Sequence, residues 1–368
     1  MQAAKLICVG GARPNFMKLA PLVRLLRGDD RFQTLLVNTG QHYDDQMSGQ
    51  FFRDLGMPEP DYQMEVGSGS HAVQTGEIMK RFETIVQNEQ PRAVLVVGDV
   101  NSTIACALVA AKLHVPVVHV EAGLRSFDRS MPEEINRLVT DVLSDLFLVT
   151  EESGAFNLRT EGAAEEKIAM VGNLMIDSLF FHLKRAEESD IARRCGLQEN
   201  QSFGLVTLHR PANVDDAMQL AGIMEALREI SQDLPLLFPV HPRTRSRLSR
   251  ENVGEGDCIR LLDPLGYIDF LGLMRRAAVV LTDSGGIQEE TTALGIPCLT
   301  IRDNTERPIT VEQGTNILAG TCKKSILAAW EQIGRQPKQG RIPPLWDGRA
   351  AERCRDAVWQ MLEKHGVR

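Results

Sequence analysis

The sequence predicts an α/β protein with two doubly wound parallel sheets, one in each of two domains that face each other across a cleft. Short β-branched runs alternate with longer amphipathic stretches, and this alternation restarts near the middle of the chain. Most of the runs lack polar alternation, which is typical of parallel strands that helices cover on both faces. A length of 368 residues accommodates two domains. Because such sheets bind ligands beyond the carboxyl ends of their strands, we expect the chemical residues directly after strands.

The first half contains six apolar runs that predict the strands of one parallel sheet. These runs are Lys5–Val9, Thr34–Asn38, Ala93–Val97, Val117–Val120, Leu146–Thr150 and Ile168–Val171. Stretches with helical periodicity lie between them, among them Lys18–Leu26, Ala72–Asn88 and Ser102–Leu113. The order of strand, helix and strand predicts βαβ units and therefore parallel pairing.

The pattern restarts in the second half, where five runs predict a second sheet. These runs are Leu205–Leu208, Leu236–Val240, Ile259–Leu262, Val279–Leu281 and Cys298–Ile301. Helical periodicity falls between them at Ala217–Gln232, Tyr267–Arg276 and Gly286–Leu294. The charged region Leu179–Ser202 joins the halves, and a stretch rich in proline and glycine, Gln336–Gly348, precedes a last helix at Arg349–Lys364.

Charge and composition exclude several classes of protein. Lysine and arginine total 41 against 49 acidic residues, a net charge of −8, and no basic tract occurs, so binding to nucleic acid or to anionic membranes is not expected. The N-terminus lacks the pattern of a signal peptide, and the most apolar segment, Ala105–Val120, contains Lys112, His114 and Pro116. Seven scattered cysteines without a CxxC pair argue against disulfides and zinc. The sequence therefore predicts a cytoplasmic protein.

A glycine-rich turn follows the first predicted strand. Gly10-Gly11 lets the backbone approach a ligand, and Arg13 and Lys18 bring positive charge to the start of the next helix, which favours an anion. The turn matches neither a Walker loop nor GxGxxG, so a nucleotide cofactor bound in the dehydrogenase manner is not expected. The alternative is a plain strand-to-helix turn with two solvated cations.

Three carboxylates in the first half suit acid–base chemistry. Asp99 and Glu121 each come after a predicted strand, and Glu133 lies in the first turn of a helix. A carboxylate at the end of a buried strand costs solvation energy unless it is paired or functional. Close together, the three would hold one carboxyl partly protonated, which suits proton transfer. The alternatives are a helix cap at Asp99 and a surface ion pair between Glu133 and Arg137, which are four residues apart.

Basic groups end two strands of the second half. His209 and Arg210 follow one predicted strand, and His241 follows the next, with Arg243 and Arg245 behind it. A lone histidine is more often a packing residue, but two such ends at one sheet edge favour a role in an anionic site.

The sharpest local signal is a Ser-Gly-Gly turn, Ser284-Gly285-Gly286, between a strand and a helix. Free N–H groups at such a turn cradle a diphosphate. Glu290 lies one to two turns into the helix, where its carboxylate suits ribose hydroxyls, and Arg307 offers a guanidinium to the same phosphates. The second half therefore predicts a holder for a nucleoside diphosphate.

Nine motifs in fixed order are jointly very specific. They are GARPNFMKLAPL, NTGQHYD, GDVNST, HVEAGLRS, MPEEINR, TLHRP, PVHPRTR, TDSGGIQEE and TERP. Through them the chain resembles the non-hydrolysing UDP-N-acetylglucosamine 2-epimerases over essentially its whole length. The resemblance implies a GT-B-type fold of two Rossmann-like domains. It also implies that the C-terminal helix, residues 355–368, returns to a first domain of residues 1–172, and that residues 173–354 form a UDP-binding domain.

The resemblance implies a reaction as well. The family reversibly inverts C2 of the sugar in UDP-GlcNAc to give UDP-ManNAc. The C1–O bond to UDP breaks as the C2 proton is lost, which gives 2-acetamidoglucal, and UDP then adds back after reprotonation on the other face. Neither a metal nor NAD is required, so no cofactor is expected. A homodimer through first-domain helices and a role in surface polysaccharide synthesis are also implied.

Residue roles follow from the same resemblance. It implies that Asp99, Glu121 and Glu133 form the acid–base set and that His209 aids the departure of UDP. Its substrate-binding positions are Arg13, Lys18, Arg137, Phe270 near uracil, Ser284, Gly285, Gly286, Glu290 and Arg307. An allosteric site for a second UDP-sugar would use Gln41, Arg210 and His241.

The chain departs from many family members at several positions. Asn15 replaces a glutamate, Tyr43 replaces an arginine, Pro211-Ala212 replaces Arg-Glu, and Leu265 replaces a glutamine near uracil. The lost cation at the allosteric positions argues against activation by a second UDP-sugar.

Four alternatives remain open at this stage. The motifs also resemble epimerases of UDP-2,3-diacetamido-2,3-dideoxyglucuronate and hydrolysing epimerases that release free ManNAc. A GT-B glycosyltransferase would share the nucleotide clamp but would leave the carboxylates unexplained. A UDP-sugar-binding sensor would not need them.

Overall fold

A computed structural model of the chain describes residues 3–41, 52–240, 242–248, 258–335 and 338–365. The chain divides into two compact units, Met1–Phe181 with Pro344–Arg368, and His182–Pro343. We call them unit 1 and unit 2. Each is built around one parallel sheet with helices packed against it.

The sheet of unit 1 contains seven parallel strands in the order β3-β2-β1-β4-β5-β6-β7. They are β1 (Ala4–Gly10), β2 (Phe32–Asn38), β3 (Tyr62–Gln63), β4 (Ala93–Val97), β5 (Val117–Val120), β6 (Leu146–Val149) and β7 (Ile168–Met170). The helices are α1 (Arg13–Arg27), α2 (His71–Glu89), α3 (Asn101–Lys112), α4 (Pro132–Leu143), α5 (Glu152–Thr160) and α6 (Leu174–Glu187), which continues into unit 2.

Apolar side chains on both faces explain why unit 1 forms such a sheet. Ile7 and Val94 on neighbouring strands share one core cluster with Phe82 of α2 and Cys106 of α3. The strand order reverses between β1 and β4, which both lie at the centre of the sheet. In open α/β sheets, this topological switch point is where ligands bind.

Unit 2 repeats the plan with six parallel strands in the order β10-β9-β8-β11-β12-β13, so its switch point lies between β8 and β11. The strands are β8 (Gly204–Thr207), β9 (Leu236–Pro239), β10 (Ile259–Leu262), β11 (Val279–Thr282), β12 (Cys298–Thr300) and β13 (Asn316–Leu318). The helices are α7 (Ile191–Arg194), α8 (Pro211–Val214), α9 (Ala217–Asp233), α10 (Pro242–Arg247), α11 (Tyr267–Met274), α12 (Gly285–Leu294), α13 (Pro308–Glu312) and α14 (Lys323–Arg335).

The C-terminal segment packs within unit 1. Its helix α15 (Ala350–His365) begins where the Asp177 carboxylate accepts hydrogen bonds from the N–H groups of Ala350 and Ala351, at 3.0 and 2.8 Å. Trp346 is buried just before it, with its indole N–H donating to the carbonyl of Thr150 at 3.4 Å. These contacts explain how the last helix is fixed to the first sheet.

All eleven predicted strands are found, with ends that shift by at most two residues. The prediction missed β3 and β13, which are two and three residues long and lie at sheet edges. Such short pieces carry no apolar run for a pattern to detect. In the described part of the chain, no helix has both the length and the apolar composition needed to span a bilayer.

Candidate functional site

The turn after β1 is fixed by Asn15. Its side-chain oxygen accepts hydrogen bonds from the N–H groups of Gly11 and Ala12, at 3.3 and 3.0 Å. Its amide group donates to the carbonyl of Val97 at the end of β4, at 3.0 Å. A buried asparagine therefore joins the two central strands at the switch point of unit 1.

Lys18 and Glu121 form a buried ion pair beside this turn. The ammonium group of Lys18 donates to Glu121 Oε2, and both side chains are less than one-tenth exposed. The alternative of a solvated Lys18 is therefore wrong, and the ion pair offsets the cost of burying the Glu121 carboxylate. A buried carboxylate next to an ammonium group keeps its charge and can exchange a proton over a short distance.

The backbone around the pair is strained in a way that aims the carboxylate. Glu121 has φ +71°, a left-handed conformation that non-glycine residues rarely adopt. Gly98, with φ +68°, lies against the pair, because an added Cβ would come within 3.4 Å of Glu121 Oε2 and 4.0 Å of Lys18 Nζ. The positive φ favours glycine at position 98, and a Cβ there would also lie only 3.2 Å from Asn15 Nδ2.

Asp99 pairs with Arg137 rather than capping a helix. The Arg137 guanidinium contacts Asp99 Oδ2 and also binds Glu134, at 3.0 Å through Nε and 2.7 Å through Nη2. The residue that precedes α3 is Val100, which makes no side-chain cap. The helix-cap alternative for Asp99 is therefore not what the structure shows.

Glu133 lies exposed in the first turn of α4. The alternative of a surface ion pair between Glu133 and Arg137 is wrong, because Arg137 is buried and binds Glu134, three residues earlier. Glu134 turns inward because its oxygens also accept the N–H groups of Ser126 and Phe127, at 2.9 and 3.0 Å.

A second buried network supports the same strand ends and was missed by the sequence analysis. His119 on β5 binds Asp141 Oδ1 through Nδ1 at 2.6 Å and the Gly98 carbonyl through Nε2 at 2.9 Å. Burial opposes ionisation of Asp141, but the charges and hydrogen bonds of His119 and Arg125 outweigh it and hold the pKa of Asp141 below its ordinary value. The motif HVEAGLRS contained His119 and Arg125, but only the fold brings Asp141 to them.

Three other residues were predicted to bind substrate or a second UDP-sugar. Arg13 is exposed at the first position of α1. Gln41 is buried, and its side-chain oxygen accepts the N–H and hydroxyl of Ser102, at 3.2 and 2.8 Å, so it joins β2 to α3. His241 lies outside the described residues. The allosteric role of Gln41 and His241 stays a prediction.

In unit 2, the Ser-Gly-Gly turn opens α12 at the switch point. Ser284 precedes the helix, and its hydroxyl makes no capping hydrogen bond, so it does not take up the first N–H groups of α12. Gly285 and Gly286 form the first helical positions. A Cβ on Gly285 would lie 2.9 Å from Glu306 Oε1 and 3.0 Å from Arg307 Nη1, so this turn packs directly on two charged side chains.

Three arginines gather around the buried carboxylate of Glu306. Its oxygens contact Arg302 at 2.7 Å, Arg307 at 2.8 Å and Arg210 at 3.5 Å. Burial opposes ionisation of Glu306, but the charges of Arg307 and Arg302 outweigh it and hold its pKa well below the ordinary value. Arg307 also binds Glu289 at 2.7 Å. The predicted guanidinium is therefore present beside the turn, but fixed by acidic partners that the sequence did not reveal.

His209 extends from the end of β8 toward Asp283. Its Nδ1 lies 2.9 Å from Asp283 Oδ1, and its side chain is 55% exposed, whereas Asp283 is fully buried. The structure thus places an accessible imidazole next to the Ser-Gly-Gly turn, with its other ring nitrogen, Nε2, directed away from the carboxylate.

Glu290 is buried inside α12 and accepts a hydrogen bond from the hydroxyl of Tyr267 at 2.8 Å. Burial raises the pKa of Glu290 to about 7, the Tyr267 hydrogen bond lowers it and the neighbouring charge of Glu289 raises it. Phe270, three residues after Tyr267 on α11, is half-buried.

The described residues of the two units show no metal centre. Among the residues that the structure describes, no group of three or more His, Cys, Asp or Glu side chains is placed to hold a metal ion. What the arrangement provides is buried carboxylates beside cations in unit 1 and a helix start, three arginines and an imidazole in unit 2. The first set can move protons and the second can bind an anion.

Comparison with known proteins agrees with this chemistry. The family model for UDP-N-acetylglucosamine 2-epimerase matches residues 24–358. The UDP-N-acetylglucosamine 2-epimerase of Methanocaldococcus jannaschii is 42% identical over 357 residues, 95% of this chain and 97% of the relative. The UDP-2,3-diacetamido-2,3-dideoxy-D-glucuronate 2-epimerase of Pseudomonas aeruginosa is 42% identical over 326 residues, 88% of this chain and 90% of the relative.

A solved structure extends the likeness to three dimensions. The crystal structure of the M. jannaschii enzyme in complex with UDP-GlcNAc and UDP matches with a TM-score of 0.88 and 41% identity, covering 97% of this chain and 99% of that one. The predicted GT-B-type fold of two Rossmann-like domains is confirmed. The resemblance carried by the nine motifs is confirmed too, and the chain belongs to the UDP-N-acetylglucosamine 2-epimerase family.

Proposed function

We propose that the chain catalyses the reversible, non-hydrolysing epimerisation of UDP-GlcNAc to UDP-ManNAc at C2 of the sugar. The observation that carries the proposal is the buried Lys18–Glu121 pair at one switch point, matched at the other by the Ser-Gly-Gly turn on Arg307. The M. jannaschii relative is named a UDP-N-acetylglucosamine 2-epimerase, and its crystal structure contains UDP-GlcNAc and UDP. Both findings support the choice of substrate.

Unit 1 supplies the acid–base groups in this proposal. A carboxylate of the set Asp99, Glu121 and Glu133 takes the C2 proton as the C1–O bond breaks and the bonding electrons leave with UDP, which gives 2-acetamidoglucal. A second group returns a proton to the opposite face of C2 before UDP adds back. Ion pairs with Lys18 and Arg137 hold two of these carboxylates in place.

Unit 2 supplies the binding groups. The N–H groups at Gly285 and Gly286, with the Ser284 hydroxyl and Arg307, stabilise the negative charge that develops on the departing diphosphate. The Ser284 N–H itself donates to the Thr282 hydroxyl at 3.0 Å. Glu290 and Phe270 lie on α12 and α11, where we propose contacts with ribose and uracil. His209 is proposed to help the diphosphate leave.

The test is proton NMR of the protein with UDP-GlcNAc in D2O, without added metal or NAD. Formation of UDP-ManNAc with deuterium at C2 is expected, because the C2 proton is lost to a carboxylate that exchanges with solvent. Free ManNAc and UDP as terminal products would instead identify a hydrolysing epimerase. Epimerisation with full retention of the C2 proton would contradict the proposed elimination.

A second substrate has one specific observation in its favour. The P. aeruginosa relative, named for a diacetamido-uronate sugar, is as similar in identity as the M. jannaschii enzyme. That sugar carries a carboxylate, which would need a cation near the hexose, whereas Lys18 is already neutralised by Glu121. Comparing kcat/KM for the two UDP-sugars decides between them, and we expect UDP-GlcNAc to be the better substrate.

The expected homodimer, the cytoplasmic location and the role in polysaccharide synthesis stay predictions. Light scattering of the purified chain tests the first, since a dimer has twice the 40.8 kDa mass of one chain.

A further inference from the structure

We propose that Asp283 is a positioning residue that fixes the tautomer and direction of the His209 imidazole, so that His209 Nε2 serves the departing diphosphate. The inference rests on the proposed function and adds a residue to it. Asp283 lies between the end of β11 and Ser284 in the motif TDSGGIQEE, and the sequence analysis gave it no role of its own.

The Asp283 carboxylate is the centre of the hydrogen bonds that join β8 to β11. It accepts the N–H of His209 at 3.1 Å on both oxygens, the N–H of Arg210 at 3.0 Å and the Asn213 amide at 3.1 Å. The Asp283 carbonyl accepts Arg210 Nε at 3.0 Å. With no exposure to solvent and every bond directed from a donor, this carboxylate stays ionised and cannot rotate freely.

A further contact of this carboxylate is to the imidazole ring of His209. Asp283 Oδ1 lies 2.9 Å from His209 Nδ1, so an ionised carboxylate requires a hydrogen on that nitrogen. In neutral His209 the hydrogen is then on Nδ1, and Nε2 carries the lone pair. In protonated His209, Nδ1–H stays on Asp283 while Nε2–H points away from it. A carboxylate that orients a histidine through Nδ1 is a recurring arrangement in proton-transfer sites.

The proton balance of the proposed reaction fits this arrangement. As the C1–O bond breaks, its electron pair goes to the phosphate oxygen of UDP, and protonated His209 gives the Nε2 hydrogen to that oxygen or holds it in a hydrogen bond. Full transfer leaves neutral His209 with its hydrogen on Nδ1, the form that Asp283 favours. In the return direction, UDP loses the proton to Nε2 as the C–O bond forms, so no other reactant is needed.

The test is a double-variant comparison in the full chain with Asp283→Asn, His209→Gln and both together. We expect His209→Gln to lower kcat about 10³-fold and Asp283→Asn about 10²-fold. Because Asp283 would act through His209, the double variant should be no slower than His209→Gln alone. If Asp283 had a purely structural role, the losses of kcat in the two single variants would multiply in the double variant. Asp283→Asn would then also weaken UDP binding, since Ser284 follows directly. We expect instead that the Kd of Asp283→Asn for UDP changes less than about twofold.

A second measurement needs no variant at position 283. In 15N-labelled wild-type protein, with the His209 signals assigned by their loss in His209→Gln, neutral His209 should carry its hydrogen on Nδ1. A hydrogen on Nε2 instead, multiplying losses, or full activity of Asp283→Asn would each overturn the inference. Wild-type protein that does not epimerise UDP-GlcNAc would overturn the proposed function, while the tautomer measurement would still decide the role of Asp283.

Discussion

Each unit buries a glutamate, but the two carboxyl groups have different partners. In unit 1, Glu121 is paired with the ammonium group of Lys18. In unit 2, Glu290 receives the Tyr267 hydroxyl, and burial raises its pKa to about 7. An ionised, cation-paired carboxylate suits proton transfer, whereas a hydroxyl-bonded carboxyl suits hydrogen bonding to a neutral group.

The same contrast extends to the neighbouring charges. Unit 1 uses cations to hold carboxylates, as Arg137 holds Asp99. Unit 2 uses carboxylates to hold cations, as Glu306 and Glu289 hold Arg307. The same Rossmann-like fold thus presents carboxylates at the switch point of unit 1 and cations at that of unit 2. The variants below test whether proton transfer depends on unit 1 and diphosphate binding on unit 2.

The largest effect is expected for Glu121→Gln, which removes an acid–base group. We expect kcat to fall roughly 10³-fold, because a positioned proton-transfer group contributes about 10²–10⁴-fold. The measurement is the rate of UDP-ManNAc formation at saturating substrate.

Stability must be controlled, because Glu121→Gln leaves the Lys18 charge buried without a carboxylate. Adding Lys18→Met should restore the melting temperature but not the activity. Glu152→Gln, which changes an exposed carboxylate on α5, should leave both unchanged. Recovery of activity in the Lys18→Met, Glu121→Gln protein would show that Glu121 only balances charge.

Arg307→Ala should weaken UDP binding about 10- to 100-fold, since a hydrogen bond from a charged donor contributes roughly 1.5–3 kcal/mol. Isothermal titration calorimetry with UDP measures this. Arg335→Ala, at the exposed end of α14, is the matched control and should bind UDP normally. An unchanged Kd for Arg307→Ala would place diphosphate recognition elsewhere.

Glu290→Gln tests the raised pKa of the unit 2 glutamate through the pH dependence of protein stability. The folded-state pKa of Glu290 is raised from 4.5 to about 7, so its contribution to stability is present below pH 4.5 and is lost as pH rises to about 7. Glutamine does not titrate, so the free energy of unfolding of the variant does not fall in this way. Relative to wild type, it should therefore rise by roughly 3 kcal/mol as the pH increases through this range, since one pKa unit equals about 1.4 kcal/mol. Urea unfolding at pH 5 and pH 8 measures the gap, and a constant gap would contradict the raised pKa.

The smallest effect is expected for Phe270→Leu. Loss of a ring contact with uracil should weaken UDP binding about fivefold, or about 1 kcal/mol, and leave binding of pyrophosphate unchanged. Equal weakening of both ligands would mean that Phe270 supports α11 rather than the base.

Much of the fold was predictable because the two halves share one simple pattern. Apolar runs without polar alternation identified the buried parallel strands, and the functional side chains followed the strand ends as the fold class requires. Lys18 and Glu121 were both identified in this way, although they are 103 residues apart in the chain.

The partners of the site residues were not predictable by the same reasoning. Helical spacing suggested Glu133 as the partner of Arg137. The actual partner is Glu134, whose carboxylate is held in place by backbone N–H groups of a preceding loop. Asp283 likewise meets His209, and Glu306 meets Arg210, across strands that are not neighbours in sequence. Spacing along one helix is local information, whereas these contacts depend on sheet order.

The most direct test of the division between the units measures two quantities in three proteins. The Kd for UDP and the rate of deuterium entry at C2 of saturating UDP-GlcNAc are determined for wild type, Glu121→Gln and Arg307→Ala. We expect Glu121→Gln to keep the wild-type Kd and lose deuterium entry, and Arg307→Ala to lose affinity while retaining measurable exchange. If Glu121→Gln weakened UDP binding as much as Arg307→Ala, binding and proton transfer would not be divided between the two switch points.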